Sequence, residues 1–583
     1  MTLTTRPSFL RRAAVVGVCV GGVLSGCSDS SGTDTTSPTT TVAVTTTGPE
    51  SPPTTLTDGT SSTTTTSIGG PVPPPDGAVM QLTFQLSPDI RWADGEQVSV
   101  ADIACTVDAL ASTPGSADAA MYASVIEVRA GRAEDSVEVF FDRVVAGYRS
   151  LLDRLVQASS VGDCSDVSGE WADEVPPSAG TLRIEVWNRV QMILVPADAD
   201  DADELGFDRV VLVPLRDIDL EVDVLRSGEV DVIAPDIAVG VADRLTDPNL
   251  VFELQASGRH EDLYLRSGGV FDDEVFRSAF WQSVDRQRLV EEVYEPIRTG
   301  AAIWDCGPTT VEDWCGDAFS GSFDPGAGAQ TLTEAGWTFS PDGLWQDPTG
   351  EPAVVRWLVD VGHGRQRQLV DAFVPMMESQ GFDLEIVECG GSCVFSEAVV
   401  AGGWDVTIFA SDGLGDVGMF ERRFACGGTW NVAQLCDAEV DALIDVASGT
   451  LDPDEQAAAI GDALVRMVDL RQVLPLVRLP SALAWRPDKV GPDTVLRDVR
   501  AAGVWTMGAI AELEDLDGDG QIVIGVESWP SCVNPVLECG GSGWYRRTIG
   551  AFAIPGVWES ADGRGLVFSP VVRREPFATV LSR

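Results

Sequence analysis

The chain has 583 residues, enough for several cores, and an ordinary apolar share of 44%. Its charge is not ordinary: 90 acidic against 39 basic side chains leave a net charge of −51, and Lys489 is the single lysine. Such a surface repels phosphate backbones and anionic lipid, which argues against a nucleic-acid partner; the acids run along the whole length, as a solubilising surface does.

The first residues read as a targeting segment. Arg6, Arg11 and Arg12 precede an apolar run over 13–24 that is too short to span a membrane. The run closes on "LSGC", which resembles the lipobox of bacterial lipoproteins and makes Cys27 the candidate lipidated residue of a chain anchored at the outer face of the cell membrane. An ordinary signal peptide with a chance cysteine is the competing reading. Residues 1–26 are then the signal and 27–76 a tether of Thr, Ser, Pro and Gly that cannot form a core. A flexible chain of that length spans about 35–45 Å.

Twelve cysteines include Cys19 in the apolar run and Cys27 at its end. The other ten are an even set in an exported chain, so disulfides are expected. Spacing suggests Cys306–Cys315, Cys389–Cys393, Cys426–Cys436 and Cys532–Cys539, which leaves Cys105 for Cys164. Metal ligation is the rival reading, weakened by the presence of only two histidines, His260 and His363.

In chain order, Met80, Leu82, Phe84 and Leu86 alternate with polar or smaller residues and predict a strand. After the turn "WADG", Ser99 caps a helix with Asp102 at its third position and a stripe of Ile103, Val107 and Leu110. Strands are expected at "SVEVFF" and "TLRIEVW", and a helix over 149–157. "FDRVVLVPLRDIDLEVDVLRSGEVDVIAP" reads as strand 210–214, helix 218–226 and strand 230–234. "DDEVFRSAFWQSVDRQRLVEEVY" reads as one long helix and "DPGAGAQTLTEAGW" as another, closed by Gly336. A helix stopped by Gly381 and a strand follow, then a strand at "WDVTIFAS", then two helices and a strand through "LPLVRLPSALAW". This alternation gives an α/β or mixed α+β class. Near the far end, "GDGQIVIGVESWPSCVNPV" opens on a β-branched run, 521–526, that reads as a strand beginning a domain.

These motifs, in this order, resemble the family 5 extracellular solute-binding proteins of ABC transporters, the peptide and oligopeptide binders. The matching stretches are "FQLSPDIRWADGEQVSVADI", "LRSGEVDVI", "FDDEVFRSAFWQSVDRQRLVEEVY", "SFDPGAGAQTLTEAGW" with "PDGLWQDPTGEP", and "WDVTIFASDGLGD". Together they cover 79 to about 510. The resemblance implies a two-lobed clamp of the large peptide-binding type, acting with an ABC permease and expected as a monomer. In that family the domain begins with a strand and an Asn-Pro loop; here that opening stands at 521–583. Joining Arg583 to Gly77 restores the family order, so the chain reads as a circular permutation of 77–583. Its small subdomain is 77–190 with 570–583, its first lobe 191–267 plus 486–569, its second lobe 268–485, and 511–521 joins the old ends. A truncated second copy of the domain is the alternative.

The resemblance assigns Asp412, at the family's acidic position, to the α-amine of a bound peptide. The "GLG" that follows departs from the family pattern, which carries Pro there. Glu527, Ser528, Trp529 and Asn534 fall on the loop after the family's first strand, which faces the cleft. Trp404 could pack on ligand side chains or sit in the core. Arg422 and Arg423 could receive a ligand carboxylate or form a surface pair. Asp515, Asp517 and Asp519 have the spacing of a calcium loop, with Val526 where the loop's last acid belongs; the alternative is a polar linker. No cofactor is required, with structural calcium the one candidate. No catalytic constellation is visible, so the reading is a binding protein; a ligand-sensing receptor of the same fold is the other functional reading.

Overall fold

The computed structural model describes residues 73–581 apart from internal stretches, of which 390–401 and 538–552 are the longest. β1 (Met80–Gln85) buries alternate residues, as its period of two requires. α1 (Val100–Ser112) starts at Ser99, whose backbone N–H donates to the Asp102 carboxylate at 2.8 Å. β2 (Val125–Ala130) and β3 (Ser136–Phe141) pair antiparallel. β4 (Leu182–Trp187), β5 (Met192–Pro196) and β6 (Arg209–Pro214) lead into α2 (Ile218–Ser227) and a two-residue β7 (Val232–Ile233). β8 (Val251–Leu265) is the longest strand.

The long helix expected after it is broken. α3 (Glu274–Gln282) is capped by the Asp273 carboxylate, which accepts from the N–H groups of Val275 and Phe276. Ser283 closes it by donating its hydroxyl back to the Ala279 carbonyl at 2.8 Å. Asp285 then caps a fresh turn, Arg286–Leu289, which runs into a π turn over Val290–Tyr294. α4 (Pro325–Glu334) and β9 (Val354–Asp360) precede α5 (Gly364–Glu378). The chain leaves α5 through Gly381 at φ 89°, where an added Cβ would lie 2.5 Å from the Phe339 ring. β10 (Asp383–Cys389), β11 (Val406–Ser411), α6 (Val417–Phe424), α7 (Ala438–Ser448), α8 (Pro453–Leu470) and β12 (Val473–Trp485) follow, then β13 (Gln521–Val526) and β14 (Phe577–Val580).

Residues 149–157 are not a helix. Single 3-10 turns at Tyr148–Ser150 and Ala158–Ser160 flank a bent segment. Two of its N–H groups, and that of Ala158 beside it, go to side chains instead of to carbonyls four residues back. Leu152 N–H donates to the Tyr122 hydroxyl at 2.6 Å, Val156 N–H to the Thr106 hydroxyl at 2.8 Å, and Ala158 N–H to Asp102 at 2.7 Å. Leu152 itself sits at φ 57°, which no α-helix contains.

A four-stranded sheet runs β2-β3-β1-β14, and a ten-stranded sheet runs β10-β9-β11-β8-β12-β7-β13-β6-β5-β4. β8 and β12 pair antiparallel along most of their length and cross from one half of the large sheet to the other. Their register slips between Pro475 and Val477 and again between Arg478 and Pro480, at the crossing. One core, with Phe271, Phe280, Trp357, Phe373 and Phe420, fills the second lobe. Two cores flank the sheet of the first lobe, and a fourth fills the small subdomain under β1 and α1.

β13 lies between β6 and β7, parallel to both, with Ile524 opposite Leu212 and Val232. Ile522 and Ile524 enter one core of the first lobe and Val523 packs on the other, so the strand is covered on both faces. β14 pairs antiparallel with β1 from Met80 opposite Val580 to Thr83 opposite Phe577. The stretch that reads as a beginning is therefore an interior strand of the first lobe, and residues 577–580 complete the sheet of the small subdomain.

Candidate ligand-binding cleft

The crossing strands build the centre of the candidate site. β11 pairs with β8 from Val406 opposite Leu265 to Ser411 opposite His260, and β12 places Arg478 opposite His260 on the other side. Asp412 follows Ser411 directly and, with the rest of 412–416, lies outside the described residues. The described chain stops at Ser411, in the last β11 pair, and resumes at the buried Val417 that opens α6.

Three consecutive titratable residues of β8, His260, Glu261 and Asp262, are fully buried at the crossing. Alternation sends them to two faces. On one, His260 Nε2 lies 3.1 Å from Asp262 Oδ2, which also accepts from the Tyr264 hydroxyl at 2.9 Å, and Tyr264 stacks on Phe409 of β11 at 4.5 Å between ring centroids. On the other, Glu261 accepts from Arg365 of α5 at 3.2 Å and from the Tyr294 hydroxyl. A buried carboxylate held by a guanidinium and a phenol fixes the second lobe's helices to the crossing strand. Sequence reading missed this cluster: "RHED" inside a strand carries no apolar alternation, and Arg365 lies 104 residues away.

The other expected site residues are dispersed. Glu527 and Ser528 lie outside the described residues. Trp529 packs on the first lobe's core and donates its indole N–H to the Asn188 carbonyl at 2.9 Å. Asn534 is buried, and its amide is taken up by backbone: it donates to the Val167 and Glu170 carbonyls at 2.7 and 3.3 Å and accepts from Val536 N–H at 2.9 Å. It pins the loop after β13 to the small subdomain. Trp404 is 1% exposed in the second lobe's core, under the Arg266 guanidinium at 5.5 Å, which is the core alternative. Arg422 is buried too. The carboxylate it receives is the protein's own Asp118, at 2.5 Å, and its guanidinium lies 4.5 Å from the Trp430 ring centre. Neither Arg422 nor Arg423 is a surface residue.

Asp515, Asp517 and Asp519 do bring carboxylate oxygens within 4.8 Å of one another. The Asp515 carboxylate accepts from the N–H groups of Asp517, Gly518 and Gly520, which closes the turn. The cation beside it is Lys489, whose Nζ lies 3.0 Å from Asp517 and 3.6 Å from Asp231. Burial alone would lower the Lys489 pKa, but the Asp517 hydrogen bond and the charges of Asp231, Asp517 and Asp519 outweigh it and raise it. The lysine hydrogen bond in turn holds Asp517 below the usual carboxylate range. This loop thus carries its own counter-ion. Cys105–Cys164 and Cys426–Cys436 are bonded as expected. Cys306, Cys389 and Cys532 are disulfide-bonded as well, and their expected partners Cys315, Cys393 and Cys539 lie outside the described residues, as does Cys27. No described helix is long and apolar enough to cross a membrane.

The family model described as "Bacterial extracellular solute-binding proteins, family 5 Middle" matches residues 78–419, more than half of the chain. The chain belongs to this family. The family's proteins bind peptides or small molecules and deliver them to ABC permeases, and the homologues of this chain are substrate-binding proteins. Among curated relatives, the oligopeptide-binding protein OppA of Mycobacterium tuberculosis and that of Mycobacterium bovis are each 22% identical over 430 residues, covering 70% of this chain and 70% of theirs. Among solved structures, the periplasmic EDTA-binding protein EppA superposes with a TM-score of 0.65 at 18% identity, covering 75% of this chain and 84% of that one. The oligopeptide-binding protein AppA from Bacillus subtilis, in complex with a nonapeptide, gives 0.60 at 14% identity, covering 73% and 86%. At these identities the structures establish the fold, the two-lobed family 5 architecture.

Proposed function

We propose that this protein is a lipid-anchored, extracytoplasmic solute-binding protein that captures a peptide between its lobes and delivers it to an ABC permease. The observation that carries the peptide reading is the placement of Ser411. It is the last paired residue of a strand held against the crossing strand β8, and the family's acidic position, Asp412, is the next residue in the sequence. A desolvated ammonium needs an anion as its partner, and the Asp412 carboxylate is the one the family pattern offers. The relatives known as oligopeptide-binding proteins support a peptide ligand.

Two further parts of the reading concern chain order. Cys27 is the lipidated residue, and 27–76 holds the folded part away from the membrane. Residues 77–583 are a circular permutation of the family order, supported by the interior position of β13 and the pairing of β14 with β1. A truncated second copy would leave those positions in the two sheets without a reason.

Native mass spectrometry of the disulfide-bonded protein, with fragmentation of whatever it releases, tests the ligand class. A mixture of peptides is the expected result. Asp412→Ala should then weaken binding of a tri- to pentapeptide pool by tenfold or more, and N-acetylation of the same pool should weaken wild-type binding equally. A single non-peptide mass would keep the transport role and remove the amine anchor. An empty protein whose melting point no peptide pool shifts would turn the reading to a sensor.

A further inference from the structure

The small subdomain and the second lobe are far apart along the chain. The chain passes from α1, β2 and β3 into β4 of the first lobe, reaches the second lobe through β8, and returns through β12. The only cysteines of the small subdomain, Cys105 and Cys164, are bonded to each other, so no disulfide joins it to the second lobe. Three described contacts in the joint carry the argument. Ala146 N–H donates to the Ser448 carbonyl at the end of α7 at 3.3 Å. Leu451 packs on the small subdomain's core, and Ala146 on the second lobe's core. Between them Asp118, 5% exposed at its side chain, accepts from Arg422 of α6 and also pairs with Arg154 of its own subdomain.

Among the described residues, each buried charge of this joint has an opposite charge beside it. Asp118 and Asp153 face Arg154 and Arg422, and the two arginines are 2% and 7% exposed at their side chains. Burial alone would lower the Arg154 pKa, but Asp153 and Asp118 more than offset it, so Arg154 stays charged. Burial and then Asp153 push the Tyr122 hydroxyl above its ordinary value, which keeps it neutral beside them. For a buried pair of this kind the cost of desolvation and the Coulomb gain nearly cancel. When the two faces part, each side is rehydrated, and Asp118 still has Arg154. A contact of that sort fixes geometry without welding the surfaces together.

We propose that Asp118 and Arg422 are the latch of the closed clamp, a contact across the lobes whose making sets how much of the protein is closed and so how tightly ligand is held. This rests on the reading that the two lobes close on a ligand. Apparent affinity scales with the population of the competent state, so weakening the latch lowers affinity without touching the ligand. The pair acts through lobe position, so its residues are positioning residues.

The test is amide hydrogen exchange on the full chain with its disulfides and with no peptide added. Arg422→Gln leaves the Asp118–Arg154 pair whole; Asp118→Asn keeps the shape and removes the charge. Each should speed exchange at Ala146 and in 446–452 by about tenfold or more, with β1 and the buried turns of α8 at wild-type rates. Wild-type protection at Ala146 in the variants overturns the latch, and so does a rise spread evenly through the second lobe's core. If one variant does not fold, the other decides. Ligand plays no part in this readout. A protein that binds no peptide from the pool leaves the latch standing, and unchanged exchange removes the latch without touching the peptide reading.

Discussion

At the scale of single residues, the functional reading of a charged side chain turns on which partner reaches it first. Arg422 reads in the sequence as a receptor for a ligand's carboxylate; 304 residues away in the chain, Asp118 takes that place. Asp437 is another case. Its carboxylate caps α7 by accepting from Glu439 and Val440 N–H and pairs with Arg466 at 2.7 Å. The arginine hydrogen bond, ahead of the cap bonds and against burial, lowers its pKa in the folded state. A lowered carboxylate contributes stability that is complete above its unfolded value, about pH 4, and lost as pH falls through the folded value. Asp437→Asn should therefore melt about 1–2 °C lower than wild type at pH 7. Thermal scans down the pH scale should show that gap closing below about pH 4; a gap that stays constant would remove the assignment.

At the scale of elements, periodicity was a good guide where the backbone bonds to itself and a poor one where side chains intervene. β1, α1, α2, α4 and β11 stand where their patterns put them, because burial on one face is written into local spacing. The segment 149–157 has helical composition, yet Tyr122, Thr106 and Asp102 claim its N–H groups from afar. No local pattern reports that. The break at Ser283 was legible in principle, since Asp285 is a cap signal inside the helical run. The candidate site divides the same way: the strand before Asp412 was readable, whereas the His260–Asp262 cluster depends on long-range partners. The Cys105–Cys164 bridge ties α1 to the far side of this irregular segment across 59 residues, against 10 for Cys426–Cys436. Loop-closure entropy gives about 4 kcal/mol for the first and about 3 for the second. Replacing each pair by serines should lower the denaturation midpoint in that order; the reverse order would show that strain or residual structure dominates.

At the scale of the whole molecule, the order of elements along the chain and their order in space differ, and only the second determines stability. A rearranged gene that starts at Gln521, runs to Arg583, continues into Gly77 and ends after Ala511, the close of the second of two helices beyond β12 (Asp493–Ala502 and Met507–Ala511), should give the same ten-stranded and four-stranded sheets. Its melting point should lie within a few degrees of the native one, and it should bind the same peptide pool. Loss of folding would show that 521–583 is not the detached opening of this domain. The expectation rests on β14 and β1 being hydrogen-bonded neighbours, with Leu581 N–H donating to the Val79 carbonyl at 2.8 Å, so that the new connection bridges a short gap.

The interior position of β13 also orders events in time. A ribosome makes β6 and β7 some three hundred residues before the strand that separates them, which at ordinary synthesis rates is a delay of roughly 15–60 s. Until β13 emerges, the first lobe's sheet has a one-strand slot with two open edges, the geometry that invites pairing with another chain. The second lobe has a shorter wait: β11, which separates β8 from β9, begins fewer than fifty residues after β9 ends. Export machinery that threads unfolded chains would therefore meet a polypeptide unable to close its first lobe early, and a holding chaperone would have a defined place to bind: the empty slot between Leu212 and Val232.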